Sequence, residues 1–143
     1  MSERGKVILR RLPHGGDLLS ELTELARREG IRTGTVTAIG AVSRARIGYY
    51  DQADRVYRER DLDQPLEICS CLGNISLKDG EVFVHAHVVL ADGEGETRGG
   101  HLCPGTVIFA AECRIDEIRG RELERDYDDR TGLSLWSPAG SDE

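Results

Sequence analysis

Three of the four histidines lie in two short segments that are joined by a loop rich in glycine and acidic residues. His85 and His87 alternate with valine and alanine between Val82 and Leu90, and His101 follows the loop within Gly99-Gly100-His101-Leu102. Such alternation is typical of a β-strand, in which successive side chains point to opposite faces. His85 and His87 therefore share one face of a predicted strand.

A hairpin brings the third histidine to the same face. If His87 lies opposite His101, then Asp92 opposes Glu96 and Gly93-Glu94-Gly95 forms a three-residue loop. Loops of this length favour glycine at the position that needs the left-handed backbone conformation. Because opposed residues share a face with Cβ atoms roughly 5 Å apart, the sequence predicts three imidazoles that converge on one point.

Three converging imidazoles are a candidate metal site. Neutral imidazole binds zinc, copper, iron and nickel, and three protein ligands with one position left for water are typical of a reactive zinc. We therefore predict that His85, His87 and His101 bind a divalent metal, with zinc as the first choice. The alternatives are hydrogen-bonded core histidines or a solvated strand face. Cys103 lies two residues after His101 and is considered as a fourth ligand, although Pro104 interrupts the strand.

Length and charge restrict the class of protein. A chain of 143 residues is typical of one domain, and 26 acidic against 19 basic residues give a net charge of −7. This charge opposes autonomous binding to a phosphate backbone. The N-terminus lacks a signal-peptide pattern and no apolar run reaches membrane-spanning length, so we expect a cytoplasmic protein without membrane contact. Four cysteines without a C-x-x-C motif are expected to be small buried groups in a reducing compartment.

One early helix precedes a series of predicted strands. Asp17 is the predicted N-cap of a helix with leucines at helical spacing, and Gly30 is the predicted end. The other predicted strands cover residues 6–12, 34–42, 44–51, 65–77 and 106–115, with a short one at 55–58. We therefore expect an α+β domain in which one principal helix packs on an antiparallel sheet or open barrel.

Two details of this pattern concern packing. In strand 65–77, alternation predicts one face with Leu66, Ile68, Ser70 and Leu72, and the other with Glu67, Cys69 and Cys71. Gly40 and Gly48 indicate close packing or bulges.

The domain is predicted to span residues 1–125, and residues 126–143 form a predicted tail. The apolar residues of this tail, Leu133, Leu135 and Trp136, are expected to dock on the chain's own sheet or on a neighbouring subunit. The end of the tail is expected to be flexible.

The order of these segments resembles the plants-and-prokaryotes-conserved (PPC) domain, with a match from about residue 6 to about residue 120. The matching stretches are residues 16–19, 38–42, 49–51, 66–68, 72–76, 85–87 and 99–107. The resemblance implies a homotrimer and, in prokaryotic members, a metal bound by His85, His87 and His101. It also implies a stand-alone prokaryotic type, because Arg119-Gly120-Arg121 is followed by Glu122 where an AT-hook needs proline.

In plant members of this family, the stretch that matches Leu66 to Cys71 contacts partner transcription factors. The present chain differs there, since Leu66 replaces the usual aromatic residue and Cys69 and Cys71 replace leucine-like residues. The fold is also similar to that of acetolactate decarboxylase and related three-histidine zinc proteins. That similarity implies a metal that polarises a substrate oxygen or activates water.

These observations favour two functions. The first is a homotrimeric metal-binding module with a regulatory or protein-interaction role and a DNA or transcription-factor partner. The alternative is a metal-dependent lyase or hydrolase on a small oxygen-containing substrate, for which Glu67 and Glu112 are candidate acid or base groups without an assigned role. A third interpretation keeps the metal as a structural staple, as closed coordination by four protein ligands would favour.

Overall fold

The computed structural model describes residues 2–137, so the predicted flexible end of the tail lies outside the described residues. Within that range the chain forms one α-helix and nine β-strands. The elements are β1 (Glu3–Leu12), α1 (Leu18–Arg28), β2 (Gly34–Asp51), β3 (Val56–Leu62), β4 (Leu66–Lys78), β5 (Glu81–Ala91), β6 (Thr97–Leu102), β7 (Val107–Arg119), β8 (Glu124–Asp128) and β9 (Leu133–Trp136).

All nine strands belong to one sheet, in which β2 is the central element. The first part of β2 pairs with β4 and β7, and its second part pairs with β3 and, at Ile47 and Gly48, with β6. Since β6 pairs with β5 and β5 with β4, the strands β2, β6, β5 and β4 close a ring. The sheet as a whole is not a regular barrel, because the other strands lie outside this ring. The predicted antiparallel sheet with one packed helix is therefore confirmed, with a short parallel pair between β4 and β8.

Helix α1 has the predicted cap and the predicted buried face. The Asp17 side chain accepts a hydrogen bond from the Ser20 backbone N–H at 2.9 Å, which satisfies one of the free amides of the first turn. Leu18 and Leu22 are fully buried in the main core, and the helix packs on β5 and β7. The left-handed conformation of Gly30 ends the segment, with φ of +68°.

Two strand predictions need correction. Residues 34–51 form a single strand, because register shifts against β7 at Ala41, Val42 and Arg44 bend the chain without ending the pairing. The strand predicted at residues 55–58 is β3 at Val56–Leu62, since Arg55 has a positive φ of 53° and belongs to the turn.

The predicted faces of β4 are wrong after Ile68. A bulge between Ile68 and Ser70 adds one residue on β4, and every later side chain changes face. As a result Cys71 is buried, whereas Leu72 is 61% exposed and lies opposite His87 on the outer face. All four cysteines are free, and Cys69 is exposed, contrary to the prediction that all four are buried.

The described part of the tail joins the chain's own sheet. Strand β8 pairs with β4 at Leu77 and Lys78, and β9 pairs with β8 from Leu133 to Trp136. Strand β8 begins before the predicted boundary at residue 125, so the β8–β9 hairpin includes that position. Within residues 2–137, no helix is long and apolar enough to cross a membrane.

Candidate metal centre

The β5–β6 hairpin has the register that the sequence predicts. His87 lies opposite His101, and the Asp92 backbone N–H donates to the Glu96 carbonyl at 3.0 Å. The Asp92 carboxylate accepts from the backbone N–H of Glu94 and of Glu96, and Gly95 takes the left-handed conformation at φ of +81°. The loop therefore fixes the pairing that places His101 next to β5.

The hairpin brings the three imidazole rings together on the outer face. One ring nitrogen of each histidine lies within 4.8 Å of those of the other two. The Nε2 atoms of His85 and His87 are 3.3 Å apart. Two nitrogens bound to one tetrahedral zinc at 2.0–2.1 Å are about 3.3–3.4 Å apart, so this spacing fits two ligands of one cation as well as it fits a hydrogen bond.

Burial favours the neutral form of two rings of the cluster, those of His85 and His101. Burial, as the largest cause, lowers the pKa of His85 to about 4 together with the neighbouring His101, Arg125 and His87. Burial also lowers the pKa of His101, with His87 as the second cause. Neutral imidazole is the form that binds a metal, and the buried Nδ1 of His101 has no hydrogen-bond partner among the described residues. The residues therefore fit a bound cation.

Tyr57 lies beside the cluster, and sequence reasoning missed it. Its ring centroid is 4.8 Å from that of His101, with an angle of 35° between the planes. Gly48 lies between the two residues: an added Cβ would lie 3.5 Å from the Tyr57 Cδ1 and 3.6 Å from the His101 Cβ, and it would be tight only against the Cys103 Sγ, at 3.1 Å. The glycine was the only sequence signal for this contact, because Tyr57 is distant along the chain.

Arg125 flanks the cluster on another side and was also missed. Its guanidinium donates to the Asn74 side-chain oxygen at 2.8 Å and to the Ser76 hydroxyl at 3.0 Å. It lies over the rings of Phe83 and Trp136, at 5.3 Å and 5.1 Å from their centroids. Asn74 lies opposite His85 in the β4–β5 pairing, which places the arginine next to the histidine row.

The other candidate residues do not join the cluster. Cys103 is buried, its thiol donates to the His101 carbonyl at 3.6 Å, and burial raises its pKa to about 11. Glu67 is exposed and pairs with Ala91, four residues beyond His87 on β5. Glu112 is exposed on β7, which β2 and β4 separate from β5.

A different carboxylate is closer by register. Glu59 of β3 and His101 of β6 lie on opposite sides of Gly48, which has no side chain to separate them. Glu59 forms an ion pair with Arg46 at 2.7 Å and acts to raise the pKa of His101 against the stronger effect of burial.

The fold and the cluster define a class: an α+β domain with one predominantly antiparallel sheet and three imidazoles on its outer face. Within that class, the chain belongs to the Plants and Prokaryotes Conserved (PCC) domain family, whose model matches residues 1–119. This is the family also abbreviated PPC, so the predicted family is confirmed.

Two solved structures are similar over almost the whole chain. A metal-containing protein of Archaeoglobus fulgidus is 43% identical with a TM-score of 0.91, and the match covers 95% of this chain and 96% of that one. A plant- and prokaryote-conserved protein of Pyrococcus horikoshii is 38% identical with a TM-score of 0.92, covering 96% and 95% of the two chains.

Two other relatives differ in length or description. The bifunctional protein GlmU of a Synechococcus strain is 37% identical over 130 residues, which are 89% of this chain and 19% of that protein. The chain thus spans about a fifth of the length of the curated relatives it matches. A structure from Ralstonia eutropha, described as that of a proposed DNA-binding protein, is 29% identical with a TM-score of 0.78, and the match covers 89% of this chain and 88% of that one.

Proposed function

We propose that the chain binds one divalent metal ion, with zinc as the first candidate, through His85, His87 and His101. The observation that carries this proposal is the convergence of three ring nitrogens within 4.8 Å of one another. Burial lowers the pKa of His85 and of His101, which favours the neutral form of these two rings. The similarity to a metal-containing Archaeoglobus fulgidus protein supports it. When bound, such a metal supplies Lewis acidity to an oxygen ligand.

Elemental analysis of protein purified without a His-tag tests the metal. We expect close to one equivalent of one transition metal per chain, and zinc in the largest amount. Metal-free protein should take up one equivalent of zinc on titration. A chain that neither carries nor takes up stoichiometric metal would refute the proposal.

A homotrimer is the proposed assembly, as the family resemblance implies. The apolar side chains of Ile39, Leu72 and Val89 support it, since they are 59%, 61% and 41% exposed on neighbouring strands of the outer face. Exposed apolar side chains on adjacent strands are typical of an interface. Light scattering after size-exclusion chromatography should give three times the 15.8 kDa chain mass.

Two variants test whether this face joins the subunits. Leu72→Asp places a charge in the patch and should reduce the mass toward that of one chain. Val56→Asp places the same charge at an exposed position on β3 and should leave the trimer intact. A Leu72→Asp protein that stays trimeric would exclude this face as the interface.

The proposed role of the assembly is that of a cytoplasmic regulatory or protein-interaction module, with DNA reached through a partner such as a transcription factor. The similarity to the Ralstonia eutropha structure supports a link to DNA, and the net charge of −7 opposes direct binding. The Arg-Gly-Arg match also lies among ion pairs, from Arg119 to Glu117 and from Glu122 to Arg32.

DNA titrations at several salt concentrations separate direct from indirect association. The purified protein alone should show no binding near physiological ionic strength. Tight binding would show direct phosphate contacts if the logarithm of the binding constant falls linearly with the logarithm of the salt concentration.

A metal-dependent lyase or hydrolase remains a second proposed function. Two observations favour it: His87 is exposed, and Tyr57 and Arg125 flank the cluster. An accessible metal position beside polar groups is typical of a reactive rather than a structural site. Screening the zinc-loaded protein against small esters and hydroxy acids tests this proposal, with His87→Ala as the inactive control.

A further inference from the structure

Arg125 is a buried cation without an acidic partner in the described part of the chain. The residue is 8% exposed, and its three hydrogen bonds go to neutral oxygens of Asn74, Ser76 and Ser134. None of the ion pairs between described residues includes it. Burial of an unpaired charge is unfavourable, so this position is suited to a partner that brings negative charge.

The guanidinium lies in the row next to the histidine cluster. It covers Phe83, which precedes His85 by two residues on the same face of β5, a separation of about 7 Å along a strand. It also bonds to Asn74, the residue opposite His85. Arginine has five N–H donors, and three of them are used in hydrogen bonds to other described residues, which leaves two for a ligand.

Hydrogen bonds between two turns connect the strand next to His101 with the hairpin that carries Arg125. Arg55, in the turn before β3, donates to the backbone carbonyls of Asp129 and Arg130 in the β8–β9 turn, at 2.8 Å and 3.0 Å. Tyr57 then follows on β3 and lies against His101. The turn contacts therefore join the strand that carries Tyr57 to the hairpin that carries Arg125.

We propose that Arg125 binds the carboxylate of a small molecule whose second oxygen function reaches the metal position. This inference rests on the proposed metal site. A divalent cation held by three neutral imidazoles would keep its full charge, and the adjacent guanidinium carries one further positive charge. The metal and the guanidinium together would therefore attract an anion strongly. The planar guanidinium matches a carboxylate, and the two sites together select a ligand with oxygen donors at both ends.

Calorimetric titration of zinc-loaded protein with malonate tests the inference, with acetate as the probe that reaches only one of the two positions. We expect malonate to bind more tightly than acetate. Arg125→Met should weaken malonate binding at least about tenfold, the value of one charge-assisted hydrogen bond, and should leave the zinc content at one equivalent. Arg28→Met, at an exposed helix position, is the matched control and should behave as wild type.

The outcomes separate this inference from the metal proposal. Normal zinc content with equal malonate affinity in wild type and Arg125→Met would overturn the role of Arg125 and leave the metal site in place. Failure of wild type to bind zinc would overturn both. If Arg125→Met does not fold, a crystal structure of zinc-loaded wild type with malonate decides, since a malonate that does not contact Arg125 would refute the inference.

Discussion

Substitution of Gly100 by alanine should displace His101, one of the three proposed metal ligands. Gly100 precedes His101 on β6, and a Cβ added there would lie 2.6 Å from the Gly48 carbonyl oxygen of β2. An ordinary van der Waals contact begins at 3.4 Å, so the two strands would have to separate by about 0.8 Å. The obstacle is backbone, which cannot turn aside as a flexible side chain can. Overpacking of this kind costs about 1–3 kcal/mol.

Two measurements separate the effect on stability from the effect on the metal. Thermal unfolding of metal-free Gly100→Ala should occur about 4–12 °C below wild type, at about 4 °C per kcal/mol for a domain of this size. Zinc competition should show an affinity at least about tenfold lower, because the shift displaces His101.

Gly93→Ala is the matched control in the same hairpin. An added Cβ at Gly93 meets nothing within 4 Å, and its backbone is not left-handed, so stability and zinc affinity should stay at wild-type values. Wild-type unfolding and zinc affinity in Gly100→Ala would refute the reasoning that backbone contact between β2 and β6 positions His101.

Three further predictions concern single groups. Mutation of a residue that only hydrogen-bonds a metal ligand lowers metal affinity roughly 10–100-fold, so loss of the ligand itself in His87→Ala should lower zinc affinity by more than that. His14→Ala, at an exposed turn, should keep full zinc occupancy by elemental analysis. Asp17→Ala should lower the free energy of unfolding in urea by about 2–4 kcal/mol, since the carboxylate also accepts from two backbone N–H groups beyond the helix; a loss below about 0.5 kcal/mol would contradict this. The folded-state pKa of His85, about 4, lies below its ordinary 6.5, so the unfolded chain binds more protons between these values. Metal-free protein should therefore lose stability as pH falls from 6.5 toward 4, and a flat urea midpoint between pH 6.5 and 5 would contradict that shift.

Much of the cluster is predictable because its determinants are local. Period-2 alternation places His85 and His87 on one face, and the glycines and Asp92 of the loop set the register that adds His101. The helix is predictable for the same reason, since the Asp17 cap and the spacing of its leucines lie within a few turns of chain.

The faces of β4 are less predictable from the sequence. The bulge after Ile68 exposes Leu72 and buries Cys71, and the residues themselves carry no signal of an extra residue. The bulge depends on how β4 fits between β2 and β5, and alternation in a single sequence does not contain that information.

The sequence by itself determined the helix, the hairpin and the shared face of its histidines, because each depends on residues within about twenty positions of one another. Only the tertiary structure decided that Tyr57 and Arg125 flank that face, and that the β8–β9 hairpin supplies the arginine. Those contacts join strands that are far apart along the chain, and they arise from the pairing of β2 with β3 and β6 and of β4 with β8. Long-range strand pairing results from packing of the whole sheet, so it leaves no periodic pattern near either residue.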